Sequence, residues 1–150
     1  KLLGSVLTIA TGATEDTRLD GFRIQNGRAN QGGGVFCGGG AAVISNNQIT
    51  CNEAIEAGTG IFCVESSARI VGNLIFGNTH RTLDNPLGGG IRCDGGAPLI
   101  EHNRIYGNVA IGGAGISCSR SAPVIRNNLI LGNRAALAGG GIECAGAAAL

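Results

Sequence analysis

The chain has no tryptophan or methionine, and its only aromatic residues are four phenylalanines and one tyrosine in 150 residues. So few aromatics argue against a β-propeller, whose four-stranded blades need a richer supply. Charge is scarce too. Charged residues make up 14% of the chain and the formal net charge is +1, leaving no basic field for nucleic acid and no acidic tail. No apolar run is long enough to span a bilayer. Helix formers at 3.6-residue spacing are missing, and 28 glycines with many asparagines cut the apolar stretches into short pieces, which excludes helical repeats. The leucine pattern of leucine-rich repeats is absent as well. Neither CxxC nor HxxxH spacing occurs, so no metal site and no cofactor is implied.

What is present is a repeat. Cys37, Cys63, Cys93, Cys118 and Cys144 follow one another at intervals of 26, 30, 25 and 26 residues, and each closes a near-copy of one hexapeptide: GGGVFC, GTGIFC, GGGIRC, GAGISC, GGGIEC. Isoleucine recurs seven residues after the Cys (Ile44, Ile70, Ile100, Ile125) and twelve after (Ile49, Ile75, Ile105, Ile130). Asparagine recurs ten after (Asn47, Asn73, Asn103, Asn128) and fifteen after (Asn52, Asn78, Asn108, Asn133). A period of this length marks a solenoid, each unit of which buries its apolar face only against its neighbours.

The pattern predicts an all-β coil of three short strands per turn. In GGGIRC the alternation of a strand sets Ile91 and Cys93 on one side and Arg92 on the other. The Ile and Cys places barely vary between units, whereas the intervening place reads Phe36, Phe62, Arg92, Ser117, Glu143, so Ile and Cys face inward. AVIS, RIVG, LIEH and VIRN form the second strand, and QIT, LIF, RIY and LIL the third. The turn between them carries Asn47, Asn73, Asn103 and Asn128. Rungs stacked about 4.8 Å apart let identical amides bond along the column, and asparagine tolerates the left-handed backbone of a tight corner. The expected units are 1–31 (a degenerate first coil), 32–57, 58–87, 88–112, 113–138 and 139–150 (a truncated last coil), in one domain on the order of 25 Å tall. In the first coil SVLTIA reads as a strand instead of a signal peptide, and Phe22 takes the asparagine place. The small-residue tail at 147–150 fits the start of an expression-vector scar.

The GGGIxC strand, the xxI strand, the asparagine column and the IxGN corner resemble the right-handed parallel β-helix repeat family, the architecture of pectin lyase-like proteins, over roughly residues 5 to 146. The resemblance implies a right-handed, single-stranded parallel β-helix of about five to six coils. It leaves function open, because such folds include polysaccharide lyases, hydrolases and epimerases as well as adhesins.

In β-helix polysaccharide enzymes the substrate lies along the outer face of the first strand. By that resemblance the binding candidates here are Phe36, Phe62, Arg92, Asp94 and Glu143. The one long unit inserts THRTLDNPL ahead of GGGIRC, which brings His80, Arg81 and Asp84 towards Arg92 and Asp94. These residues are the catalytic candidates: His80 as a base, Arg81 or Arg92 as a cation for developing charge, Asp84 or Asp94 as an acid or cation ligand. A polar loop ending at Pro86 with scattered surface charge is the plainer reading. On the outer third face Leu74, Phe76, Tyr106, Leu129 and Leu131 make an apolar stripe suited to self-association, as are uncapped end rungs.

The cysteine column reads as reduced core thiols, since in-register Cβ atoms about 4.8 Å apart exceed the usual spacing of a disulfide. Cys51 stands apart, where the other units have Gly77, Gly107 and Gly132, and is the accessible thiol. Unpaired thiols favour a reducing compartment while the resembled family is mostly exported, so localisation stays open. The expected function is a non-enzymatic binding or self-assembling module, adhesin-like and in contact with carbohydrate. The alternative is a polysaccharide lyase, glycoside hydrolase or epimerase, or a fragment of one.

Overall fold

The structure, a computed structural model, describes residues 4–80 and 87–146. Arg81, Asp84, Pro86 and the 147–150 tail lie outside the described residues. The chain winds through successive coils of four short strands. The first coil carries β1 (Leu7–Ile9), β2 (Arg18–Asp20), β3 (Arg23–Gln25) and β4 (Arg28–Gln31). The second carries β5 (Val35–Gly38), β6 (Val43–Ser45), β7 (Gln48–Thr50) and β8 (Glu53–Ala57). The third has β9 (Ile61–Val64), β10 (Arg69–Val71), β11 (Leu74–Phe76) and β12 (Thr79–His80). The fourth has β13 (Ile91–Asp94), β14 (Leu99–Glu101), β15 (Arg104–Tyr106) and β16 (Val109–Gly112). The fifth has β17 (Ile116–Ser119), β18 (Val124–Arg126), β19 (Leu129–Leu131) and β20 (Arg134–Ala138), and β21 (Ile142–Ala145) opens a further turn.

Each strand pairs in parallel with its counterpart one coil away, giving a first sheet of six strands and three more of five. The expected three strands per coil are thus corrected to four. The fourth strand escapes the sequence pattern because its inward places hold Ala29, Ala54, Ala110 and Ala135 in place of isoleucine, and its outward places change from Arg28 to Glu53, Thr79 and Val109. Alanine suffices there because the facing columns fill the interior. Ile44, Ile49, Ile70, Ile75, Ile100 and Ile105 have 0% exposure, as do Val35, Ile61, Ile91 and Ile116. Each such side chain contributes roughly 1.5–3 kcal/mol by leaving water.

The hexapeptide has a spatial logic. Its first glycine adopts a left-handed backbone (φ +80° at Gly88) and starts the strand. Its third lies against the next rung: a Cβ on Gly90 would sit 2.6 Å from the Gly115 carbonyl oxygen. The corners on either side of the third strand are held by asparagines in two columns. Asn73 Nδ2 donates to Asn103 Oδ1 at 3.0 Å and to the Ile44 carbonyl at 2.8 Å, and the Asn73 backbone N–H donates to the same Oδ1 at 2.9 Å. Asn52, Asn78, Asn108 and Asn133 repeat this arrangement five residues on, so the IxGN corner is a second ladder. At the first coil Phe22 and Gly27 take the places of the two asparagines and offer only backbone N–H groups, to Asn47 and Asn52.

Candidate functional site

Along the outer side of the first sheet Thr8, Phe36, Phe62, Arg92, Ser117 and Glu143 stand in register. This row is not the open face expected from alternation. Phe62 is 4% and Arg92 8% exposed, and Phe36 and Glu143 are half-buried. The corner that enters each strand folds back over it. A Cβ on Gly58 would meet Phe62 Cβ at 2.6 Å, and one on Gly88 would meet Arg92 Cβ at 2.6 Å. Glycine at these corners therefore serves both the turn and the cover. Beneath it Phe36 and Phe62 pack at 5.7 Å between centroids with a tilt of 57°. Arg92 Nη1 donates to Ser117 Oγ at 2.5 Å.

Asp94, two places along the same strand, is held by Arg120 Nη2 at 2.8 Å, and this contact keeps the Arg120 guanidinium above its usual pKa. Other charged groups likewise pair along the solenoid axis. Arg126 Nε reaches the buried Glu101 at 2.7 Å and holds its carboxyl below the usual range, while Arg28 meets Glu53 at 3.3 Å. Ser45 and Asn46 both donate to Asp20 and lower its pKa.

His80 is the catalytic candidate whose placement the sequence least anticipates. It is level with Ala54 on one side and, one place after the Thr79 to Val109 pair, with Ala110 on the other, so it occupies the alanine column of the fourth sheet. The signal was in the sequence: NEA, NVA and NRA recur after the third strand, and NTH is the exception. Burial pushes the imidazole down to about 4 from 6.5, opposed by backbone groups of Gly88, Ala54 and Leu87. Arg92 and Asp94 share β13, one coil on, each tied to a partner of its own. Arg81 and Asp84, the other candidates of this cluster, lie outside the described residues.

The third sheet gathers the expected apolar stripe on one face. Phe76 lies between Thr50 and Tyr106, with Leu131 next, and Leu74 between Gln48 and Arg104, with Leu129 next. Arg104 interrupts the second column. Phe76 and Tyr106 stack face to face, 5.0 Å between centroids and 5° from parallel, so each ring spends a face on the other. Leu129 and Leu131 are 48% and 49% exposed.

All six cysteines are free thiols, with Cys51 and Cys144 exposed and the other four buried. Neighbouring thiols at Cys118 and Cys63, together with burial, push the Cys93 thiol above its ordinary pKa. Cys51 sits at φ +53°, in the corner place that Asn26, Gly77, Gly107 and Gly132 take in other coils. It borders a groove of about 470 Å³ between the third and fourth sheets, lined also by Asn26, Arg28, Glu53 and Thr79, which the sequence did not announce. Among the described residues no group of three or more His, Cys, Asp or Glu side chains is placed to hold a metal ion. Among them, too, no helix is long and apolar enough to cross a membrane.

A family model described as a right handed beta helix region matches residues 9–149. No curated protein and no solved structure matches the chain.

Proposed function

The chain belongs to the right-handed β-helix family, and we propose that it is a non-enzymatic module that associates with itself through the outer face of its third sheet. The observation that carries this reading is the Phe76–Tyr106 stack beside exposed Leu129 and Leu131. A sugar ring needs a free aromatic face, and each of these rings has one face covered by its neighbour. Ring edges and leucine side chains suit contact with another apolar protein surface, where most of the affinity comes from excluding water. The axial pairing of polar groups supports the non-enzymatic part of the reading, since Arg92 is bonded to Ser117, Asp94 to Arg120 and Glu101 to Arg126, and they are not aimed at a common point in solvent.

Contact with a polysaccharide is the secondary part of the proposal, and on the first sheet it falls to Phe36, Asp94 and Glu143, the half-buried members of the candidate set. Light scattering of Leu131→Asp tests the association. The mass should fall relative to the unaltered chain with the circular dichroism spectrum kept; an equal mass for the two removes the third-sheet interface. Turnover of uronic-acid or neutral polysaccharides that is lost in Arg92→Ala would overturn the non-enzymatic reading.

A further inference from the structure

The inward columns of the second and third sheets are filled with isoleucine, whereas one inward column of the first sheet is cysteine in every strand from β5 to β21. These thiols stand in register, Cys37 with Cys63, then Cys93, Cys118 and Cys144, so like side chains repeat at the rung spacing of ~4.8 Å. A disulfide needs Cβ atoms ~3.5–4.5 Å apart, and the column is too widely spaced to close into bridges. The same spacing suits an ion held between two sulfurs. With bonds of ~2.3 Å, the length zinc makes to thiolate, sulfurs on opposite sides of an ion lie about 4.6 Å apart.

One pair in the column is open to solvent. Cys37, Cys63, Cys93 and Cys118 are 0% exposed, so the three pairs they form are closed to an ion in the folded chain. Cys144 is exposed, and the sulfur next to it in the column is that of Cys118. Cys118 is disposed to ionise. A bond from Cys93 foremost, then one from Cys144 and the charge of Arg92, hold its thiol below the ordinary pKa against the opposing effect of burial. Arg92 stands on the other side of the sheet, level with Ser117, and sets a positive charge near a thiolate that an apolar core alone would penalise. Cys51, the other exposed thiol, has Asn26 and Gly77 as its column neighbours and offers an ion a single sulfur.

We propose that Cys118 and Cys144 bind one soft monovalent ion, copper(I), in line between their sulfurs. Thiolate ligands select copper(I) over harder cations. Two S–H bonds break and two S–Cu bonds form, both protons pass to water, and no electron moves. The product carries one net negative charge, which the Arg92 guanidinium offsets. Zinc is disfavoured because a structural zinc site takes four ligands, and among the described residues no group of three or more His, Cys, Asp or Glu side chains is placed to supply them. The site lies on the first sheet, away from the third-sheet face, so it stands or falls separately from self-association.

The test takes the whole chain as Cys51→Ser, under argon, with one equivalent of copper(I) and bicinchoninate as a coloured competitor. Native mass spectrometry should count one ion per chain, copper-edge X-ray absorption should show two sulfur neighbours, and the circular dichroism spectrum should not change. Adding Cys144→Ser should weaken retention by more than the roughly 10–100-fold that loss of an outer-shell partner costs, since an ion ligand itself is gone. The spectrum of that variant should also be unaltered, because Cys144 is exposed. Zinc(II) supplied in the same way should be lost to a chelator. Copper given up by the Cys51→Ser chain, equal retention with and without Cys144, or zinc held as tightly as copper would each overturn the proposal. So would one ion per two chains, which assigns the metal to a Cys144 bridge between copies, or a collapsed spectrum, which assigns it to unfolded thiols.

Discussion

Replacing Asn103 with alanine tests how much of the fold rests on its corner amides. Asn103 Nδ2 donates to the Ile70 carbonyl at 2.8 Å, to the Glu101 carbonyl at 3.0 Å and to Asn128 Oδ1 at 3.0 Å. Its Oδ1 accepts the Asn73 backbone N–H at 2.9 Å and Asn73 Nδ2 at 3.0 Å. The residue is 1% exposed, so water cannot easily replace these bonds. Each contributes roughly 0.5–1.5 kcal/mol net, and leaving the buried Asn73 N–H without an acceptor adds roughly 1–3 kcal/mol. Taken at the lower ends of these ranges, the expected loss is about 3–4 kcal/mol. Asn128→Ala, at the half-buried end of the same column, should lose about half as much, because solvent can reach the groups it frees. Urea unfolding followed by far-ultraviolet circular dichroism measures both. A loss below about 1 kcal/mol for Asn103→Ala, or equal losses for the two variants, would refute the ladder as a main support.

Three further outcomes are expected. His80 has a folded pKa depressed to about 4 from 6.5, so its contribution is complete above 6.5 and is lost as pH falls towards 4, when only the unfolded chain takes up the proton. The full loss is at most about 3 kcal/mol, and His80→Ala should flatten the stability profile in that window; an unchanged slope would contradict a buried neutral imidazole. A thiol reagent under native conditions should modify Cys51 and Cys144 and spare Cys37, Cys63, Cys93 and Cys118 until the chain unfolds, as mass spectrometry would show. Gly90→Ala should prevent a stable fold, because its Cβ would lie 2.6 Å from the Gly115 carbonyl oxygen and 2.9 Å from Ile105 Cγ2; a soluble variant with the native melting temperature would contradict that close approach.

Much of this architecture is legible in the sequence because the repeat is a ruler. The pairs Cys37 with Cys63, Cys63 with Cys93, Cys93 with Cys118 and Cys118 with Cys144 follow directly from the interval, and the isoleucine columns follow with them. Even the 30-residue unit keeps the frame, since Leu87 bridges Ala57 and Gly112 and restores the register before β13. The fourth strand stayed hidden because alanine inward and changing polar residues outward do not advertise a buried strand. The cover over the outer row of the first sheet escapes the sequence for a different reason. Alternation says on which side of a sheet Arg92 and Phe62 lie, but not that the preceding glycine corner covers that side. The burial of the His80 imidazole needed coordinates, although its break in the NxA triplet is visible in the sequence.

Self-association through the third sheet is measured most directly by hydroxyl-radical footprinting at low and high protein concentration. Leu74, Phe76, Tyr106, Leu129 and Leu131 should lose reactivity as concentration rises, while the exposed Leu137, in β20 of the fourth sheet, keeps its reactivity. Protection centred on Leu137, or none anywhere, would contradict the proposed interface.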